Sequence, residues 1–117
     1  MHAVSLINER TGMVVGKTVW RAETFWTRLK GLLGRKNLFQ GEGLWIQPCK
    51  QVHMIGMSIP LSIWFLNESG VIVGIIDHLI PGEISPKYHQ AASVLEFNTG
   101  WANQTGTVVG DVLHLFP

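Results

Sequence analysis

The stretch PLSIWFLNESGVIVGII, residues 60–76, decides the fold of this chain. Its first half is a short apolar run, typical of a strand that is buried on both faces. Asn67-Glu68-Ser69-Gly70 follows, and Asn and Gly are the residues that best tolerate the positive φ of a tight turn. A second run rich in β-branched residues, Val71 to Ile76, completes the pattern of an antiparallel hairpin. The local pattern therefore predicts a β-rich protein.

Short apolar runs of the same kind recur on both sides of this hairpin. Residues 2–20 predict a first hairpin, with its turn at Asn8 to Gly12. Further strands are predicted at residues 43–47, 93–97 and 111–116. With the hairpin at 60–76, these runs amount to about seven short strands.

One segment, Thr24 to Leu33, has helical rather than strand periodicity. Its apolar side chains share one face of a helical wheel and are Phe25, Trp26, Leu29, Leu32 and Leu33. The fold class expected is α+β and β-rich. We expect a small barrel-like or strongly curled, mostly antiparallel sheet of about seven short strands, with one main helix covering an opening.

Composition narrows the classes of function. The chain has 117 residues, of which 46% are hydrophobic, so residues 1–117 are expected to form a single domain with a real core. The net charge is +1 and no run of Lys or Arg exceeds two residues, so we expect no nucleic-acid partner. The apolar runs are too short to span a bilayer, so no membrane association is expected. Cys49 is the only cysteine, which favours a reducing, cytoplasmic location.

The segment around Cys49 contains residue types that can bind a metal ion. Cys49, His53 and Met57 are spaced four residues apart, which is similar to the ligand loop of blue-copper proteins. Such a site needs a second His far upstream, and the only upstream His is His2. Thiol and thioether side chains in an apolar segment are more often packing residues. We therefore predict no metal and no cofactor.

A family resemblance emerges from motifs spread along the chain. They are Phe25-x-x-Arg28-x-x-Gly31-Leu32-Leu33-Gly34-Arg35, His53-x-x-Gly56-Met57-x-x-Pro60-Leu61, Val94-Leu95-Glu96 and Gly110-Asp111. In this order they resemble the domain-of-unknown-function 192 family over roughly residues 15–116. The chain departs from the family pattern at Ser58, where a basic residue is usual, and at Ser62, where Asp is usual. The resemblance implies a fold and a set of site residues, but no reaction.

The site residues are polar residues placed in or beside apolar segments. We predict that Arg28, His53, Ser62 and Glu96 line a polar, ligand-binding pocket where the helix meets the sheet, because a buried charge needs a partner. Cys49 and Met57 are weaker candidates for the same pocket.

Three kinds of function fit these residues. The first is a non-catalytic binding or accessory domain for a small polar ligand or a peptide. The second is a hydrolase or transferase with His53 as general base. The third is a protein interaction module built on an exposed patch around Trp101. The sequence leaves open whether the protein forms a homodimer.

Overall fold

A computed structural model of the chain describes residues 3–22 and 38–116. The predicted helix at residues 24–33 and the candidate Arg28 lie outside these described residues, and so does His2.

The described residues form seven strands and one short helix. In chain order they are β1 Ala3–Asn8, β2 Val14–Ala22, β3 Glu42–Ile46, β4 Leu61–Leu66, β5 Ile72–Leu79, β6 Ser93–Asn98, α1 Trp101–Thr105 and β7 Leu113–Phe116. Each strand coincides with one of the predicted apolar runs, which confirms the β-rich architecture. The helix α1 has only five residues, and no helix in the described part of the chain is long and apolar enough to cross a membrane.

All seven strands belong to one mixed sheet with the order β5-β4-β6-β3-β2-β1-β7. Neighbouring strands are antiparallel except β2 and β3, which run parallel. The sheet curls strongly into a half-barrel, since its two edges approach each other through an isolated bridge between Val71 and Val112. Leu113 reinforces this closure by donating its backbone N–H to the carbonyl of Gly70 at 3.0 Å.

Each face of the sheet carries its own apolar cluster. On one face, which we call the Trp64 face, Trp64 packs with Phe97 at a ring-centroid distance of 4.7 Å and with Leu6 from the far side of the curl. On the opposite face, which we call the Glu96 face, Ile63 and Leu44 pack under the segment 52–59. Side chains alternate between faces along a strand, so the register decides which polar residues can meet.

Trp101 begins α1 and does not form an exposed patch. The sequence predicted an exposed Trp101, which is wrong: its side chain is only 9% exposed and packs in the cluster of the Trp64 face. Its indole N–H donates to the backbone carbonyl of Val15 at 2.8 Å. This long-range bond lets the polar edge of the ring be buried.

Candidate functional site

The strand register separates two of the predicted site residues. Ser62 lies opposite Phe97 in the β4–β6 pair, whereas Glu96 lies opposite Ile63. Directly opposite residues share a face, and consecutive residues point to opposite faces. Ser62 therefore lies on the Trp64 face and Glu96 on the Glu96 face, so the prediction that both line one pocket is corrected.

Ser62 takes part in a buried hydrogen-bond network. Its hydroxyl donates to Asp77 Oδ1 at 2.6 Å and accepts from the indole N–H of Trp64 at 2.8 Å. The carboxylate of Asp77 also accepts the backbone N–H groups of Ala102 and Asn103, at 2.9 and 3.1 Å. The network links β4 and β5 to the start of α1, which gives Ser62 a structural role.

Glu96 is fully buried, with 0% of its surface exposed. It lies between Leu44 of β3 and Ile63 of β4. Glu42 lies on the same face of β3, two residues before Leu44, and its Oε2 accepts the indole N–H of Trp20 at 3.3 Å. The Glu96 face therefore carries two carboxyl side chains in an otherwise apolar cluster. Arg28, the other charged residue of the predicted pocket, lies outside the described residues.

The other predicted residues lie apart from one another. His53 is exposed and its backbone forms an isolated bridge with Ile84, while its neighbours Val52 and Met54 point into the core. Met57 is buried in the same cluster of the Glu96 face. Cys49 is half-buried, and its thiol donates to the backbone carbonyl of Gln51 at 3.2 Å.

A cleft of about 710 Å³ opens beside Cys49, where β3 and β4 end and β6 begins. Three segments far apart in sequence form its walls, namely residues 47–50, 67–69 and 89–92. Its polar side chains are Gln47, Lys50, Asn67, Glu68, Ser69, His89 and Gln90. They offer amide, hydroxyl, imidazole and charged groups to a ligand.

Hydrogen bonds between these segments fix the walls of the cleft. The ammonium group of Lys50 donates to the carbonyls of His89 and Ala91, at 2.8 and 2.6 Å. Ala92 connects two further segments, since its carbonyl accepts the N–H of Cys49 at 3.1 Å and its own N–H donates to Leu66 at 2.7 Å. The opposite wall is a turn held by Asn67 Oδ1, which accepts the N–H of Ser69 at 2.9 Å. Such a cleft is largely formed before a ligand arrives.

A second cavity, of about 290 Å³, adjoins the cleft and enters the curl of the sheet. The two cavities share five wall residues: Gln47, Asn67, Glu68, Ser69 and Ala92. Its inner walls are apolar and include Leu6, Leu66, Leu113 and the ring of Trp45. The ring is held by its indole N–H, which donates to Ser93 Oγ at 2.9 Å. The site thus has a polar outer part and an apolar inner part.

Side chains that could bind a metal are dispersed in residues 3–22 and 38–116. No three His, Cys, Asp or Glu side chains converge there in a way that could hold an ion. The side chain of Met57 is buried in the core while that of His53 is exposed, so these two residues of the copper-like spacing have different environments.

A strong ion pair lies away from the cleft. Arg10 Nε donates to Asp111 Oδ1 at 2.6 Å, and Asn8 Nδ2 donates to Oδ2 at 3.0 Å. The hydrogen bond from the Arg10 guanidinium holds the pKa of the Asp111 carboxyl well below its usual range. The pair fastens the β1–β2 turn to the loop that precedes β7.

Another surface feature lies where two loops pair. Met54 donates its N–H to Glu83 and accepts the N–H of Gly82, at 2.7 and 3.0 Å. Ile55 and Ile84 on these loops are 58% and 59% exposed. Single exposed apolar residues are normal on protein surfaces, and neither residue lines the two cavities.

Sequence reasoning missed most of the cleft. Among the predicted site residues within 3–22 and 38–116, only Cys49 lines either cavity. The remaining walls of the cleft come from turn and loop residues, such as Asn67, whose side chain accepts hydrogen bonds within its turn. Polar residues at the ends of several strands could have indicated the cleft. Their meeting in space, however, depends on how the strands pair, which the sequence does not show.

Comparisons with known proteins give one family and two solved structures. The sequence model of DUF192, described as an uncharacterised ACR, matches residues 6–115. A crystal structure of a protein of unknown function from Novosphingobium aromaticivorans DSM 12444 is 26% identical, with a TM-score of 0.79, and the match covers 96% of this chain and 83% of that one. A proposed transcription regulator from Sinorhizobium meliloti 1021 is also 26% identical, with a TM-score of 0.78 and coverage of 97% and 92%. The curated proteins contain no match to the chain.

Proposed function

The chain belongs to the domain-of-unknown-function 192 family, and we propose that it is a non-catalytic binding domain for a small polar ligand or a short peptide. The ligand occupies the cleft and the adjoining cavity at the end of the sheet. This replaces the pocket predicted from Arg28, His53, Ser62 and Glu96, since two of these residues lie on opposite faces.

The observation that carries the proposal is the junction of the two cavities. Their volumes, about 710 and 290 Å³, lie near the range that small-molecule sites occupy. An apolar inner wall supplies burial, and a polar outer wall supplies hydrogen bonds that orient the ligand. The backbone hydrogen bonds around Ala92 hold both walls in place, which lowers the entropy lost on binding.

The placement of His53 favours binding over catalysis. A general base must come within about 3 Å of the proton it abstracts in a plausible substrate pose. His53 is exposed and lines neither cavity. The buried Trp101 likewise gives no support to an interaction patch around it.

The Sinorhizobium meliloti protein is described as a proposed transcription regulator, which raises the question of whether this chain binds DNA. Binding to nucleic acid depends on many Lys and Arg contacts to phosphate. This chain has a net charge of +1 and no long basic run. We therefore propose a small ligand or peptide and no nucleic-acid partner.

Nuclear magnetic resonance of the ¹⁵N-labelled protein tests the proposal. A library of small acids, amines, amides and tripeptides is added, and the tryptophan indole N–H signals are followed. Binding is expected to shift the Trp45 signal, because Trp45 lines the inner cavity. The signals of Trp64 and Trp101 serve as internal controls, since their indole groups are bonded to Ser62 and Val15 inside the protein.

A pair of variants locates the binding. Ala92→Phe places a large ring in the wall shared by both cavities and is expected to abolish the Trp45 shifts. Ile84→Ala, on the exposed loop outside the cavities, is the matched control and is expected to bind normally. A library that leaves Trp45 unmoved, or hits that bind Ala92→Phe as well as the wild type, would refute the proposal.

A further inference from the structure

A positive charge is held in the wall of the outer cleft. Lys50 lines the cleft, and its ammonium group donates to the carbonyls of His89 and Ala91, at 2.8 and 2.6 Å. An ammonium group has three donors, and in the described part of the chain the third N–H of Lys50 has no acceptor. Both of its acceptors are neutral, and no carboxylate among residues 3–22 and 38–116 lies within ion-pair distance of it. The cleft therefore contains a fixed positive charge with one donor left for a ligand.

A turn on another wall of the cleft carries a negative charge. Glu68 lines both the outer cleft and the inner cavity, whereas Lys50 lines only the cleft. Its turn is fixed by Asn67 Oδ1, which accepts the backbone N–H groups of Ser69 and Val71 at 2.9 and 3.0 Å. Glu68 is exposed and forms no ion pair with another residue that the structure describes. Two walls of one cleft thus carry opposite charges, and the negative one borders the apolar cavity.

From this arrangement we infer that the ligand is a zwitterion, a free amino acid or a short peptide, whose carboxylate binds Lys50 and whose ammonium group lies at Glu68. This inference rests on the proposed binding function and narrows it to one class of ligand. Because Glu68 borders the inner cavity, the side chain next to the ammonium group enters that cavity and packs on Leu66, Leu113 and the Trp45 ring. The cavity therefore selects an apolar first residue, and the rest of a peptide lies in the outer cleft.

Ligands with other charges fit the cleft less well. A phosphate ester carries about two negative charges near pH 7. Lys50 is the one Lys or Arg among the described residues that line the two cavities, and Glu68 would repel the second charge. A compound with an ammonium group alone would leave the charge of Lys50 without a partner. A zwitterion supplies a partner to each wall.

Four compounds that share a phenylpropyl skeleton test the inference by adding the two charges separately. Phenylalanine carries both charges, 3-phenylpropionate only the carboxylate, phenylalaninol only the ammonium group, and 3-phenylpropanol neither. Each is titrated while the Trp45 indole signal is followed. The wild type is expected to bind phenylalanine about tenfold more tightly than phenylalaninol, because the carboxylate makes a charge-assisted hydrogen bond to a fixed ammonium group. It should bind phenylalanine about twofold to fivefold more tightly than 3-phenylpropionate, since a pair with the exposed Glu68 is weaker.

Two dipeptides test the orientation. Phe-Gly and Gly-Phe have the same composition and the same charges, and they differ in which residue carries the ring. We expect Phe-Gly to shift the Trp45 signal and to bind about tenfold more tightly than Gly-Phe, because only in Phe-Gly is the ring next to the ammonium group and buried in the cavity. The tighter binder of Phe-Gly and phenylalanine identifies the source of the zwitterion as a peptide or a free amino acid.

Substitutions assign each preference to its residue. Lys50→Gln is expected to make phenylalanine and phenylalaninol bind equally, while Lys50→Arg keeps the charge and the preference for phenylalanine. Glu68→Gln is expected to make phenylalanine and 3-phenylpropionate bind equally. Lys87→Gln and Glu83→Gln remove the same charges from exposed positions outside both cavities, and as matched controls they should keep both preferences.

The outcomes separate this inference from the proposed function. Equal binding of the four compounds by the wild type would overturn the zwitterion while leaving a binding site at Trp45. A preference for phenylalanine over phenylalaninol that survives in Lys50→Gln, or equal binding of Phe-Gly and Gly-Phe, would also overturn the inference. If none of these compounds and no library compound shifts Trp45, both proposals fail. Should Lys50→Gln not fold, Glu68→Gln and the wild-type comparisons still decide the matter.

Discussion

Replacing Ser62 with Ala separates a structural role from a ligand-binding role for this residue. Ser62 is 0% exposed, and its hydroxyl is the acceptor for the Trp64 indole N–H at 2.8 Å and a donor to Asp77 at 2.6 Å. In the variant the buried indole N–H loses its acceptor. An unsatisfied buried donor costs about 1–3 kcal/mol.

The unsatisfied indole N–H of Trp64 accounts for most of the expected loss of stability. The Asp77 carboxylate still accepts the backbone N–H groups of Ala102 and Asn103, so it loses only one of its hydrogen bonds. We therefore expect Ser62→Ala to lower the free energy of unfolding by about 2 kcal/mol, with a fall in Tm of roughly 5–10 °C for a domain of this size. The affinity for a ligand in the cleft should not change, because Ser62 lines neither cavity.

Urea denaturation followed by far-UV circular dichroism measures the loss, provided that the m-value stays constant. Ser5→Ala is the matched control: its hydroxyl donates to the Lys17 carbonyl at 2.6 Å in an exposed position, so its loss should stay below about 1 kcal/mol. The reasoning is refuted if Ser62→Ala loses no more stability than Ser5→Ala. It is also refuted if Ser62→Ala weakens ligand binding tenfold while stability is unchanged.

Three further outcomes are expected. Because the pKa of Asp111 is lowered in the folded state, its carboxylate stabilises the fold above the pKa of an unfolded Asp, roughly 3.9, and this stabilisation is lost as the pH falls. Asp111→Asn should therefore be less stable at pH 7, and its free energy of unfolding in urea should fall less between pH 5 and pH 2 than that of the wild type. An equal fall in the two proteins would contradict this. Gly43→Ala would place a Cβ 2.6 Å from the Phe97 ring and 2.8 Å from the Glu96 carbonyl, so it should lose about 1–3 kcal/mol or more; wild-type stability in urea would show that β3 and β6 pack differently. Cys49, half-buried in the cleft wall, should react with iodoacetamide more slowly than in the urea-unfolded chain, and more slowly still with a saturating ligand; ligand-independent labelling would argue against occupation of the cleft.

The strands could be predicted because their signals are local. Residues 60–76 include the turn residues between two apolar runs, and the structure forms β4 and β5 on the two sides of that turn. The helix α1 could not be predicted, since five residues are too few to show a helical period. Trp101 was misassigned because the group that accepts its indole N–H, the Val15 carbonyl, lies 86 positions earlier in the chain.

The site was harder to predict because it depends on register. Ser62 and Glu96 both interrupt apolar runs, and nothing in either run specifies that Ser62 lies opposite Phe97 rather than opposite Glu96. A shift of one residue would have placed both on one face. The contact between the Arg21 guanidinium and the Trp45 ring could not be predicted for a similar reason, because it depends on the parallel pairing of β2 with β3.

A crystal structure of the protein grown with a library compound that shifts the Trp45 indole signal tests the central claim most directly. We expect electron density for the compound in the cavity lined by Trp45, Leu66 and Leu113. Density for the compound on the exposed loops around Ile55 and Ile84, or an empty cavity at a saturating concentration of the compound, would contradict the account.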